Sequence, residues 1–146
     1  MEIDREQLGV WGAPLTMRVE YGKIREFARA IKDPDAAYQG DAAVAPPTFL
    51  MTIAHWAEGG MSGTRAVKFD YRRLLHGEQE FEYVRPIRPG DVLQARSRVK
   101  DAYEKPGKRG GKMAFAIQET EYTNQRGEVV AYSRSTLIET EGPVQA

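Results

Sequence analysis

The chain has 146 residues, 41% hydrophobic and 29% charged, which fits one globular domain with room for a single core. Lys plus Arg number 21 and Asp plus Glu number 21, so the net charge is zero and points neither to nucleic acid nor to an anionic membrane surface. There is no cysteine, which excludes disulfides, thiolate catalysis and Cys-based zinc, and His55 and His76 are too few for a His-rich metal site.

The first residues, MEIDREQLG, are charged and lack the apolar core of a signal peptide, and no apolar run approaches the roughly 18 residues of a membrane span, so a cytoplasmic protein is expected. Residues 1–15, broken by Gly9, Gly12 and Pro14, are expected to be a short helical or irregular lead-in with Val10 and Trp11 against the body. Met17, Val19 and Tyr21 alternate with Arg18 and Glu20, a strand pattern that Gly22 breaks. Ile24, Phe27, Ala28 and Ile31 share one face at a period of 3.6, which predicts a helix over 23–31. Asp33-Pro34 ends it, because the residue before a proline is pushed out of the helical region.

The loop KDPDAAYQGDAAVAPPTF follows, with Asp33, Asp35, Asp41 and Tyr38. Pro46 and Pro47 suit the approach to a second helix over 48–58, whose Phe49, Leu50, Ile53, Ala54, Trp56 and Ala57 leave little polar face and predict burial on most sides. Gly59, Gly60 and Gly63 break it, and residues 61–75 carry no clear pattern. The second half is strand-like, with strands expected over 77–84, 92–103, 113–123 and 129–140. A basic, glycine-rich hairpin tip, KPGKRGGK, stands between the second and third of these, and residues 141–146 read as a flexible tail. Four strands on short turns imply antiparallel neighbours, and one sheet curled around an apolar helix gives an α+β class.

Asp33 lies just beyond a helix C-terminus, where the dipole disfavours negative charge, a setting that suits a proton-transfer group as well as an ordinary loop acid. Asp35 and Asp41 read as solvated turn residues. Tyr38 can bond a substrate or Asp33, or simply pack its ring. The backbone N–H groups around Thr48 and Phe49, at a helix start, can polarise a carbonyl oxygen, as every helix start can. His55 reads as a core histidine inside its helix, and His76, before Gly77, as a binding edge or a surface residue. No GxSxG, P-loop, dinucleotide-binding or HExxH motif is present.

The stretches IREFARAIKDPDAAY, VAPPTF, LLHGEQEFEYVRPIRPGD and ETEYTNQRGEVV with SRSTLI resemble, in order and spacing, the MaoC-like hydratase/dehydratase family. Within that family it resembles in particular the N-terminal-type (3R)-hydroxyacyl-thioester dehydratase subunits of actinobacteria. The resemblance implies a hot-dog fold, with an antiparallel sheet wrapped around a central helix at 48–58. It further implies homodimers or heterodimers of related hot-dog subunits, and hydration of trans-2-enoyl or dehydration of (R)-3-hydroxyacyl thioesters. The acyl group is carried on coenzyme A or acyl carrier protein, without a metal or redox cofactor.

The family's active loop reads G-D-x-N-P-x-H, and this chain reads K-D-P-D-A-A-Y. Asp33 matches the aspartate, Asp35 stands for the asparagine, Ala36 for the proline and Tyr38 for the histidine. Ala45-Pro46-Pro47 replaces an A-H-G step, and the segment from Tyr38 to Val44 is short for the group. The resemblance makes Asp33 and Tyr38 the catalytic positions and Pro47, Thr48, Phe49, His76 and Gly77 the substrate-binding ones. Tyrosine, with a reference pKa of about 10, is a poor general base. Three readings follow: a support subunit for a His-bearing partner, a stand-alone enzyme using Asp33, or a non-catalytic acyl-thioester binder. A hot-dog thioesterase and a small ligand-carrying β-barrel are further alternatives.

Overall fold

A computed structural model describes residues 1–57, 64–107 and 111–142. Five strands form one antiparallel sheet in the order β2-β5-β6-β7-β4, with β2 Leu15–Arg18, β4 Leu74–Tyr83, β5 Val92–Pro106, β6 Lys112–Thr123 and β7 Val129–Thr140. A second, two-stranded sheet pairs β1 Glu2–Ile3 with β3 Val67–Lys68. Among the described residues the one α-helix, α1 Tyr21–Ala30, lies on the concave face of the large sheet with a 3-10 segment, Phe49–His55. This is the α+β hot-dog architecture.

Side chains alternate faces along a strand, so register sorts the sheet into two chemistries. On the concave side a row runs Ala95, Tyr122, Ala131, Tyr83 across β5, β6, β7 and β4, alternating small and large. Met17, Ile24, Ala28, Phe49, Leu93 and Tyr122 close over it as one core. Phe27 meets Phe49 edge-on at 5.7 Å and 82°, a geometry worth about 1 kcal/mol beyond its buried area. On the convex side, three residues along, a row runs Arg98, Glu119, Arg134, Glu80, so opposite charges stand side by side across four strands.

Several expectations need correction. The helix begins at Tyr21, two residues before the predicted start, and Gly22 lies inside its first turn instead of breaking a strand. Val10 is 47% exposed rather than tucked in, whereas Trp11 is half-buried beneath the Arg96 and Arg98 guanidinium groups.

The largest difference concerns the segment expected as the central α-helix. It is a 3-10 helix over Phe49–His55, and Met51, Ala54 and His55 are exposed. At three residues per turn, Phe49 and Thr52 form one row and Leu50, Ile53 and Trp56 another, both turned inward, while Met51 and Ala54 face out. The Thr52 hydroxyl donates to the Phe49 carbonyl at 2.8 Å and competes with α-type bonding there. His55 is therefore a surface residue, not a core one. Glu58, Gly59, Gly60 and Gly63, the middle of the basic hairpin tip and residues 143–146 lie outside the described residues. Residues 64–75 resolve into β3, a 3-10 turn at Tyr71–Arg73 and the start of β4.

Candidate functional site

The last turn of α1 builds the site. The Lys32 N–H donates to the Arg29 carbonyl at 3.1 Å and the Asp33 N–H to the Ala28 carbonyl at 3.0 Å, with Lys32 at φ 58°. These paired bonds are a Schellman stop, whose left-handed residue is ordinarily glycine. The reversal swings Asp33 back over the helix end, and Pro34 keeps the chain from continuing the helix.

The loop then closes on Asp33. Its Oδ1 accepts the Asp35 N–H at 3.1 Å, and its Oδ2 accepts the Tyr38 hydroxyl at 3.3 Å. Asp35 caps the 3-10 turn Ala36–Tyr38 by accepting the Ala37 N–H at 2.8 Å. The Val44 N–H bonds the Ala37 carbonyl and the Ala45 N–H the Ile87 carbonyl, each at 2.8 Å, so the loop is pinned to the turn between β4 and β5. The Gly40 N–H donates to the Tyr21 hydroxyl at 2.9 Å.

Tyr38 is buried. Burial first, then the negative charge of Asp33 and the hydrogen bond to it, push the phenol above its ordinary value. It is held neutral, as a donor, and does not accept a proton at neutral pH. Two of the three roles considered for Tyr38, ring packing and a bond to Asp33, are thus filled at once.

Asp33, Tyr38, Asp35 and Gln39 share a depression of about 180 Å³ with Arg25 and Arg29. Both arginines lie on the helix face opposite the apolar row of Ile24, Phe27, Ala28 and Ile31, and were not among the expected site residues. Their i, i+4 spacing, with Arg29 four residues ahead of Asp33, was the available signal. Asp41 is exposed, as expected.

The remaining candidates are placed as follows. Pro47 is exposed, and its carbonyl accepts the Tyr83 hydroxyl at 2.7 Å. Burial pushes Tyr83 up to about 12. Thr48 is exposed at the start of the 3-10 segment, and its side chain makes no capping bond. Phe49 is fully buried, and its N–H donates to the Pro46 carbonyl at 2.9 Å. The expected free donor at Phe49 is therefore already engaged.

Neither His76 nor Gly77 is among the described residues that line the depression at Asp33. They form a bulge near the start of β4, with His76 seven residues before Tyr83, roughly 23 Å along the strand. His76 Nε2 lies 3.1 Å from the Glu78 carbonyl oxygen. Gly77 has a packing role that sequence reasoning did not find, because an added Cβ would stand 2.5 Å from Ile138 Cδ1.

A curled antiparallel sheet over a helix defines a hot-dog domain. Residues 6–133 match the family model described as FAS1-like, dehydratase domain region, and the chain belongs to that family. It is 32% identical to a UPF0336 protein of Thermobifida fusca, over 94% of each chain. It is 35% identical to another UPF0336 protein, from Saccharopolyspora erythraea, over 86% of this chain and 84% of that one.

Among solved structures it is similar to a chain of the C-terminally truncated HadBC (3R-hydroxyacyl-ACP dehydratase) complex from Mycobacterium tuberculosis. That match has 26% identity and a TM-score of 0.74 over 93% of this chain and 99% of that one. A MaoC-like dehydratase is 25% identical, with a TM-score of 0.75 over 91% of this chain and 42% of that one. The ChsH1-ChsH2 complex of M. tuberculosis, at 20% identity and a TM-score of 0.66, shares the fold over 94% of this chain and 87% of that one. The family is that of a dehydratase domain region, and the two structures at 25% identity or more are dehydratases. Among the described residues no helix is long and apolar enough to cross a membrane.

Proposed function

We propose that this chain is the support subunit of a two-chain hydro-lyase that hydrates trans-2-enoyl thioesters or dehydrates (R)-3-hydroxyacyl thioesters. The substrate is carried on coenzyme A or acyl carrier protein, and neither a metal nor a redox cofactor is part of the reading. The observation that carries the proposal is the Tyr38 hydroxyl on Asp33 Oδ2. A hydration needs a base that takes a proton from water and an acid that returns one. Here the position matched to the histidine is a phenol kept neutral by burial and by the carboxylate beside it. The pair has one donor and one acceptor, already bonded to each other.

Two further points support the reading. The HadBC and ChsH1-ChsH2 structures are complexes of two components. In addition, the segment expected as the central helix is a 3-10 helix of seven residues, packed with α1 on the concave sheet face. Polar groups of that face, Gln79, Ser133 and Ser135, bond one another, a strip along which an extended thioester can lie. The partner supplies the aspartate and histidine.

The test is to co-express the chain with a His-bearing hot-dog subunit and to follow loss of enoyl absorbance with trans-2-enoyl-CoA. Turnover by the complex that survives Asp33→Asn in this chain is the expected result. Turnover abolished by that substitution would place the chemistry in this chain and overturn the proposal.

A further inference from the structure

Two apolar clusters share the concave face of the large sheet. Ala95, Tyr122 and Ala131 belong to the first, and Val99, Ala102 and Ala116 to the second. Where the two meet, the register sets two rows across β5, β6, β7 and β4: Ser97, Thr120, Ser133 and Phe81, then Val99, Gln118, Ser135 and Gln79. All but Phe81 and Val99 are polar. The rows stand two residues apart along each strand, roughly 7 Å. Thr120, Ser133, Gln118, Ser135 and Gln79 are half-buried, neither sealed in the core nor open to water.

Part of this belt is closed on itself. Gln79 Nε2 donates to Ser133 Oγ at 2.9 Å, Ser135 Oγ donates to Gln79 Oε1 at 2.6 Å, and the Ser97 and Thr120 hydroxyls bond each other at 2.7 Å. Hydrogen-bonding capacity is left over. Ser133 accepts through its oxygen and keeps its own O–H, and so does whichever hydroxyl of the Ser97–Thr120 pair accepts. The Gln118 side chain has no hydrogen-bond partner among the described residues, which leaves its amide N–H groups and its carbonyl free.

A plain hydrocarbon chain laid over these groups displaces their water and offers no hydrogen bond in its place, which is unfavourable. A chain with an oxygen at that point restores the bond, and a site built around such a bond discriminates against the analogue that lacks it. The occupant that matches the whole face is apolar, then polar, then apolar along its length. A pantetheine arm, with amides spread along it and a phosphate at its end, does not have that pattern. An acyl chain with one internal oxygen does.

We propose that the belt around Gln118 is an acyl subsite, selecting thioesters whose acyl chain carries a hydroxyl or keto oxygen at an internal carbon over thioesters of the same length with a plain chain. This deepens the thioester reading above and rests on it, naming the class of acyl group.

The probes are saturated acyl-CoA thioesters of one medium length, one with a plain chain and the others with a single hydroxyl stepped from carbon to carbon beyond the third. Calorimetry reads their binding to the chain alone and to its complex with a His-bearing hot-dog subunit. The expected result is one hydroxyl position bound roughly fivefold tighter than the plain chain. Gln118→Leu should abolish that preference without weakening the plain chain, whereas Gln118→Asn, which keeps the amide, should retain a preference. Gln118→Leu breaks no side-chain hydrogen bond among the described residues, so the comparison is made in a folded background. A plain chain bound as tightly as every hydroxylated one, a preference untouched by Gln118→Leu, or no binding of any probe by the chain or the complex overturns the proposal. None of the probes is read by turnover, so the subsite is judged by binding and the hydro-lyase reading by turnover of trans-2-enoyl-CoA, and either can fail with the other standing.

Discussion

Glu119 sits mid-strand in β6 with 3% of its side chain exposed, beneath three cations. Its Oε1 accepts from Arg98 at 2.6 and 3.0 Å, and its Oε2 accepts from Arg134 at 2.7 Å and Lys100 at 3.2 Å. Burial alone would raise this carboxyl, but the bonds from Arg134, Arg98 and Lys100 outweigh it and hold it at about 2, against an ordinary 4.5. At 1.36 kcal/mol per pH unit that difference is about 3 kcal/mol. Lys100 remains 47% exposed, so solvent screening takes part of it, leaving about 2–3 kcal/mol.

The sign follows from the depressed folded value. The stabilisation is complete above about pH 4.5 and is lost as pH falls through about 2. Glu119→Gln removes the charge, keeps the shape and strands the three cations. Urea denaturation at pH 7 should show a loss of about 2–3 kcal/mol, or roughly 6–10 °C in Tm for a chain of this size. By pH 3 the gap between wild type and variant should narrow to about half. Equal stability at pH 7, or a gap that does not shrink on acidification, would refute the reasoning.

Lys32→Gly should stabilise the chain by about 0.5–1 kcal/mol, read by urea midpoint, because Lys32 holds a left-handed φ of 58° that glycine adopts freely. Gly77→Ala should cost about 1 kcal/mol through its clash with the Ile138 side chain, and a double-mutant cycle with Ile138→Val should recover most of that loss. Tyr38→Phe removes a phenol whose titration lies above the ordinary range. Alkaline spectrophotometric titration should therefore lose a late-titrating tyrosine and keep the early ones.

The strands were legible because period-two alternation survives wherever one face is apolar. β7, expected over 129–140, is observed as Val129–Thr140. The apolar face of α1 was also legible, in Ile24 and Ala28, but its start was not, because Tyr21 fits a strand pattern equally well. The 3-10 segment was not readable from its own residues. Apolar positions at 49, 50, 53, 54, 56 and 57 satisfy a period of 3.6 as well as one of 3.0, and the inward rows are selected by the sheet they cover.

At the site, Asp33 and Tyr38 were found as residue types in a spacing. Their contact was not, since it depends on the left-handed turn at Lys32. The bulge at His76 and Gly77 is likewise set by the pairing of β4 with β7, and no local pattern encodes it.

The most direct test of the central claim is the hydration of trans-2-enoyl-CoA thioesters, short to long, by the purified chain alone, beside Asp33→Asn and beside the complex with a His-bearing hot-dog subunit. The account predicts no turnover by the chain alone at any length, and turnover by the complex. Turnover by the chain alone that disappears in Asp33→Asn would contradict it, and would show that Asp33 works as a catalyst with the Tyr38 hydroxyl on its carboxylate.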